Sequence, residues 1–351
     1  MKKSDIKNYD RKGLAAWFRS AGEPSYRADQ VFKWVYLRQT DRFEAMTDIS
    51  KSLRQRLAET FTVERLHVAA IDTSADGSQK FLFRLTDGQF VESVLMPGDD
   101  RYTLCVSSQV GCAMGCRFCM TAQGGLTRSL SPGEIIAQVR DVQMRIPEGG
   151  RLTNVVFMGM GEPLANFDAV MQALEVICDG DFGLKISRRR VTLSTCGLVS
   201  RFADMAARSR VNLAISLNAS DNRTRSMLMP VNHRFPLDTL IDACRAYALT
   251  PRDKITFEYI LMKGINDSAE DAYRLSRLLR PVQAKINLIP FNEHPKSEFK
   301  RPDPSVIQAF QQILLDQSYT VIVRKSMGQD IAAACGQLRA NQLESEAVAD
   351  F

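Results

Sequence analysis

The sequence predicts an α/β fold: a parallel sheet, open or curled into part of a barrel, behind a small helical unit with a hairpin. Two patterns carry this. From residue 102 onward, short apolar runs alternate with amphipathic stretches of ten to sixteen residues. Before that, helical spacing covers residues 14–60 and a strong tight-turn signal follows. A chain of 351 residues can bury one large core, or one core plus a small accessory domain.

Along the chain, "LAAWFRSAGEPSYRADQVFKWVYLRQ" breaks at Gly22-Glu23-Pro24 and resumes with Val31, Trp34 and Val35 on one helical face. "QKFLFRLTDGQFVESVLMP" alternates on both sides of Asp87-Gly88 and reads as a hairpin. Residues 1–97 are thus expected to form an accessory unit, 98–338 the α/β core and 339–351 a polar tail. The core strands are expected at "TLCVSS", "TNVVFMG", "RVTLST", "VNLAISLN", "ITFEYIL", "AKINLIP" and "TVIVRK". In "SPGE", Ser131 can cap a helix, Pro132 suits its first position and Glu134 completes a capping box. Two later helices start at Phe235-Pro236-Leu237-Asp238 and Asp303-Pro304. Such a fold gathers its chemistry at the C-terminal ends of the strands.

Hydrophobic content of 45% and charged content of 25% are those of a soluble globular protein. No run approaches the roughly 18 apolar residues of a membrane span, and "MKKSDIKNYDRKG" has no apolar stretch behind its basic residues. The expectation is a cytoplasmic monomer away from any membrane. Thiols stay reduced there, so eight cysteines point to metal or catalytic chemistry rather than disulfides. The net charge is +6, and residues 1–60 carry thirteen Lys/Arg against eight Asp/Glu. That excess permits a nucleic-acid partner; "KSLRQRL" and "KISRRRV" are the candidate phosphate contacts.

"VSSQVGCAMGCRFCMTAQGG" places Cys112, Cys116 and Cys119 in a glycine-bearing loop directly after the first core strand. Thiolates suit zinc or iron–sulfur centres, and structural zinc wants a fourth ligand. The nearest is Cys105, seven residues upstream; His67, His233 and His294 are all distant in sequence. A [4Fe–4S] cluster can instead use three cysteines and leave one iron for an exchangeable ligand. Phe118 would shield such a cluster from water. Cys178 and Cys244 read as helix packing residues, and Cys196 as a wall residue without an assigned role.

"CAMGCRFC" resembles the signature of radical S-adenosylmethionine (SAM) enzymes, in which SAM chelates the open iron. The resemblance implies a partial (β/α) barrel of the radical SAM type with a small N-terminal helical domain, and a SAM pocket. Gly161 and Glu162 of "FMGMGEP" would receive the methionine amine; Ser194, Ser216, Leu217, Asn218 and Asn292, at strand ends, would hold the rest. "TLCVSSQVGC", "MGMGEP", "RVTLSTCG" and "ACGQL" resemble more narrowly the dual-specificity RNA adenine-C2 methyltransferases of the RlmN family. The family's substrates are an adenosine in 23S rRNA near the peptidyl-transferase centre and the adenosine 3′ of the anticodon in certain tRNAs, bases that can be presented out of a stack.

That resemblance implies two SAM per turnover and an external electron donor. Cys335 would carry the methyl, lose a hydrogen to the radical and bond covalently to the RNA. Cys105 would release the product by forming a disulfide with Cys335, and Glu92 would accept the C2 proton. Carbon 2 of adenine is electron-poor and cannot attack a methyl group itself, whereas a thiolate can. Two positions depart from the family: Asn218 stands where many members have His, and Met120 where smaller residues are common. Alternative expectations are a carbon-8 methyltransferase of the same rRNA base, or a zinc-containing RNA-binding protein without catalysis.

Overall fold

The computed structural model describes residues 3–99, 101–247, 250, 253–294 and 297–338; the polar tail expected over 339–351 lies outside them. At the front, the Asp10 side chain accepts from the Gly13 amide at 2.6 Å and starts α1 (Arg11–Ser20). The break at Gly22 follows, with its φ of +77°. α2 (Arg27–Phe32) runs into a π-helical turn over Lys33–Leu37, which brings Tyr36 as well as Val31 and Val35 into the core. α3 (Lys51–Thr60) is capped by Ser50.

Ten strands form one sheet in uninterrupted chain order. β1 (His67–Thr73), β2 (Gln79–Arg84) and β3 (Phe90–Pro97) make an antiparallel meander. β3 pairs antiparallel with β4 (Arg101–Cys105), which begins the parallel series. The series continues through β5 (Arg151–Phe157), β6 (Val191–Thr195), β7 (Asn212–Ser216), β8 (Ile255–Leu261), β9 (Ala284–Pro290) and β10 (Thr320–Val323). All seven expected core strands are present. The hairpin, however, does not stand with the helical unit: Val94 pairs with Cys105 and Leu95 with Leu104, so it extends the main sheet. Residues 90–95 of β3 are buried whichever face they point to, and such a strand needs ladder partners on both edges. β1 escaped sequence reading because it is an exposed edge strand without apolar alternation.

The crossovers are α5 (Pro132–Gln143), α6 (Phe167–Cys178), α7 (Phe202–Arg208), α8 (Asn222–Leu228) with α9 (Leu237–Ala246), α10 (Ala269–Leu279) and α11 (Pro304–Asp316); α4 (Met120–Gln123) lies in the cysteine loop. Parallel crossovers share one hand, so strands added always on the same side put every crossover helix on one face and curl the sheet. The result is a partial barrel. Ser131 and Glu134 form the expected capping box of α5. Pro236 sits at the N-cap of α9, one position earlier than expected.

The helical unit docks on α5 through buried charge. Arg140 is fully buried, donates to the Val35 carbonyl at 3.0 Å and pairs with Asp141 at 3.2 Å. Asp141 also takes Arg65 at 3.0 Å and the Leu66 amide at 2.7 Å. One continuous apolar core runs from Leu14 and Phe18 of α1 to Phe310 of α11, so unit and barrel bury their surface together.

Candidate functional site

The loop after β4 is held by a short antiparallel ribbon, Gln109–Gly111 against Leu126–Ser129. Gly111, at φ +77°, is obligatory here, since a Cβ would lie 2.0 Å from the Gly125 carbonyl oxygen. The ribbon presents Cys112, Cys116 and Cys119 to an open cavity, which Phe118, Ser194, Ser216 and Asn218 also line. Burial pushes the Cys112 thiol up to about 12, and that of Cys116 also up, with neighbouring cysteines adding to the effect. Three crowded thiols of this kind become stable thiolates when a cation binds them, so the donor set fits an iron–sulfur group. Among the described residues no three His, Cys, Asp or Glu side chains close around one metal ion. A cubane asks for something else, one thiolate at each of three irons.

Glu162, which lines the same cavity, is buried and its carboxylate accepts from the Leu164 amide at 3.0 Å and the Cys196 amide at 2.8 Å. Burial raises its pKa, and those amides oppose the rise. The Cys196 and Thr195 side chains also bond this carboxylate, which faces the cavity where an ammonium would bind. Gly161 has φ +97°, and a Cβ there would stand 2.5 Å from Gln109 Cβ, so this glycine serves the close approach of the ribbon. Ser194 and Ser216, on β6 and β7, line the cavity with their hydroxyls 3.4 Å apart.

Two of the expected cofactor contacts, Leu217 and Asn292, are not on the cavity wall. Leu217 is fully buried in the core; its amide donates to the Glu258 carbonyl and its carbonyl accepts from Arg225. Asn292 donates to the Cys335 carbonyl at 3.3 Å and accepts from Gln329 at 3.1 Å, so its amide orders the Cys335 loop. Asn218 lines the cavity, but its side chain accepts from the Ile260 amide at 2.9 Å and donates to Met229 sulfur. It has φ +59°, a left-handed conformation that asparagine tolerates better than most residues, which accounts for Asn at this position.

Cys335 opens onto this cavity and shares a second one with Cys105 at the end of β4. Neither is in a disulfide. Burial pushes the Cys105 thiol up to about 12. Protein surrounding Cys335 raises its pKa too, and Arg324 pulls both back. Arg324 reaches Glu258 at 3.8 Å, and Asn287 donates to the same carboxylate at 2.9 Å. The Cys335 loop is tied at both ends. The Gly336 carbonyl accepts from the Met120 amide at 2.8 Å and the Leu338 carbonyl from the Thr121 hydroxyl at 2.6 Å, joining it to α4. From the turn between β1 and β2, Ser74 bonds Asp330 at 2.5 Å and Asp76 accepts from the Gly328 amide at 2.8 Å. Lys80 donates to the Ile331 carbonyl at 2.7 Å.

Glu92 is buried on β3, with Lys80 at 3.7 Å, and does not line either cavity. It shares the sheet face of Val94, the cross-strand partner of Cys105, which brings it beneath the Cys335 loop through Lys80. The Arg188–Arg190 cluster precedes β6 and therefore sits at the N-terminal edge of the sheet, opposite the cavity. The sequence reading placed it among the phosphate contacts; strand direction removes it from the site.

Residues 4–63 match the model of the ribosomal RNA large subunit methyltransferase N-terminal domain, and residues 106–276 that of the radical SAM superfamily. A dual-specificity RNA methyltransferase RlmN of Desulfosudis oleivorans is 56% identical over 96% of this chain and 91% of its own length. One from Geotalea uraniireducens is 49% identical over 97% of each. The chain belongs to the RlmN family. The fold agrees: the crystal structure of a radical SAM methyltransferase from Sphaerobacter thermophilus superposes with a TM-score of 0.91, at 43% identity, over 96% of this chain and 100% of that one.

As an RlmN-family radical SAM enzyme, the protein works with a [4Fe–4S] cluster and SAM. What the family motifs do not point to is the apparatus behind the cysteines: Arg324, Glu258, Lys80 and the Ser74–Asp76 turn. Each looks like an ordinary surface residue in sequence, and only the turn's Asp-Gly pair carries a signal, for a turn and nothing more. The latch has a measurable consequence. Asp330→Ala removes the bonds to Ser74 and Ala75, and alkylation of Cys335 by iodoacetamide is expected to accelerate severalfold while Cys105 stays protected. Equal rates in parent and variant would show that the turn does not hold the loop.

Proposed function

We propose that this chain methylates carbon 2 of an adenosine in 23S rRNA and of the adenosine 3′ to the anticodon in tRNA, through a covalent bond between Cys335 and the base. The observation that carries the reading is the meeting of Cys335 with the three loop cysteines on one cavity and with Cys105 on the next. When bound at Cys112, Cys116 and Cys119, the cluster with SAM would supply the methyl group, an electron and the hydrogen-abstracting radical. Gly161, Glu162, Ser194, Ser216 and Asn218 lie on the wall where SAM would sit.

The chain's own part is thiol and proton chemistry. Cys335 takes the methyl as a thiolate, a form that the charge of Arg324 favours. Once its carbon is bonded to the base, Glu92 takes the C2 proton, reached through movement of the loop that Lys80 ties to it, and the adduct's unpaired electron would return to the cluster. The Cys105 thiolate then attacks Cys335 sulfur. A sulfur–sulfur bond forms, the carbon–sulfur bond to the base breaks with its electron pair going to the methylene carbon, and that carbon takes a proton from solvent and leaves with the RNA as a methyl group. Two electrons from cellular thiols return the disulfide to the reduced pair. A cytoplasmic location accords with this need for reduction; no helix among the described residues is long and apolar enough to cross a membrane.

An anaerobic reaction with methyl-deuterated SAM and an rRNA fragment, read by nucleoside mass spectrometry, tests the proposal. The expected product carries two of the donor's deuteriums, at carbon 2. Three deuteriums would mean direct methyl transfer, and a carbon-8 product would replace the regiochemistry.

A further inference from the structure

Two arginines among the described residues are fully buried, and they differ in what neutralises them. Arg140 has Asp141 at 3.2 Å. Arg225, on α8, has no carboxylate within ion-pair distance among the described residues. Its guanidinium donates to four neutral oxygens: the Cys196 carbonyl at 2.7 Å, Asn232 Oδ1 at 2.9 Å, and the Leu217 and Phe235 carbonyls, each at 3.2 Å. These fix its direction but leave its charge uncancelled, and an uncompensated buried cation is strongly unfavourable. The chain makes room for it nonetheless. Gly197, at φ +102°, would carry a Cβ 3.3 Å from Arg225 Nη2 and 3.1 Å from a Leu240 methyl.

The guanidinium stands behind the cysteine wall of the cavity. Cys196 lines that cavity beside Cys112 and Cys116, and all three pack in one buried cluster with Leu228 and Met229 from the end of Arg225's own helix. Glu162, the carboxylate on the same wall, is held by backbone amides and makes no ion pair with Arg225. Burial disfavours the charged guanidinium, and negative charge on Cys196 and Cys116 favours it.

We propose that Arg225 is the buried counter-cation of the iron–sulfur cluster, a positioning residue that raises the cluster's reduction potential. Three thiolates outweigh the charge of the cubane core, so the loaded site is net negative. Reduction adds one electron from an external low-potential donor, and no bond or proton changes. A cation fixed where water does not screen it stabilises the more negative of the two states. Arginine suits the task because it holds its charge where lysine would be neutralised. The inference rests on the cluster and not on which RNA atom is methylated, so its failure would leave that reading intact.

The test is the midpoint potential of the cluster in anaerobically reconstituted full-length protein, titrated with dithionite and mediator dyes and followed by electron paramagnetic resonance. Arg225→Gln is expected to bind the same iron while its reduction becomes at least about tenfold less favourable, a negative shift of about 59 mV for a one-electron couple. Asn232→Asp lays a carboxylate against the guanidinium and should shift the potential the same way with Arg225 still present. If only one variant loads iron, that one decides. An unshifted potential in a loaded variant overturns the proposal. So does failure of both to load iron, which would make the arginine a folding element.

Discussion

Cys335→Ala is expected to reduce methylation of both RNAs to background, a loss of about 10⁴-fold or more, the scale on which covalent nucleophiles are missed. The reason is chemical. Adenine carbon 2 offers no electron pair to a methyl donor, so without a thiol to carry the carbon there is no slower route to fall back on. Nothing else should change. The cluster ligands are other cysteines, and Cys335 is held by backbone carbonyl bonds that alanine keeps, from Asn292 to residue 335 and from Met120 to residue 336. Iron content, SAM binding and melting temperature are therefore expected to match the parent. Measurable turnover by this variant would remove Cys335 from the reaction.

Cys105→Ala is expected to stop the reaction one stage later and to accumulate a protein–RNA adduct. Cys105 ends β4, buried, paired with Val94 on one side and Val156 on the other, and it faces Cys335 across the smaller cavity. With its thiol gone, no sulfur is placed to attack Cys335, and the carbon–sulfur bond to the base persists. A denaturing gel should show RNA migrating with the protein, and peptide mass spectrometry should find the nucleotide on Cys335. Free methylated RNA at the parent rate, with no adduct, would assign resolution to another group. Because burial pushes the Cys105 thiol up to about 12, the thiolate fraction near neutrality is small and grows as pH rises. Breakdown of the adduct in the parent protein should therefore quicken from pH 7 to 9.

Several of these residues are legible in the sequence and others are not, and the division follows the range of the interactions. The seven parallel strands carry short apolar runs between amphipathic helices, a pattern written in consecutive residues. The three cluster cysteines lie within eight residues, so their shared purpose shows locally. β1 did not show, because an exposed edge strand buries too little to need alternation. Asn292 stands at a strand end and Leu217 beside one, where the family resemblance implies cofactor contacts, yet one holds the Cys335 carbonyl and the other fills the core. A strand end fixes which edge of the sheet a residue occupies; it does not fix where the side chain's bonds go.

Local sequence specifies the alternation of strands and helices, the cysteine loop and, through its motifs, the family. Tertiary structure alone decided that the hairpin joins the main sheet, that Asp76, Asp330 and Lys80 secure the loop of Cys335, that Glu92 lies behind rather than on the cavity wall, and that Arg225 is buried without a carboxylate. The physical reason is that periodicity and motif spacing are properties of neighbouring residues, whereas burial of a charge depends on segments that meet only when the sheet has curled.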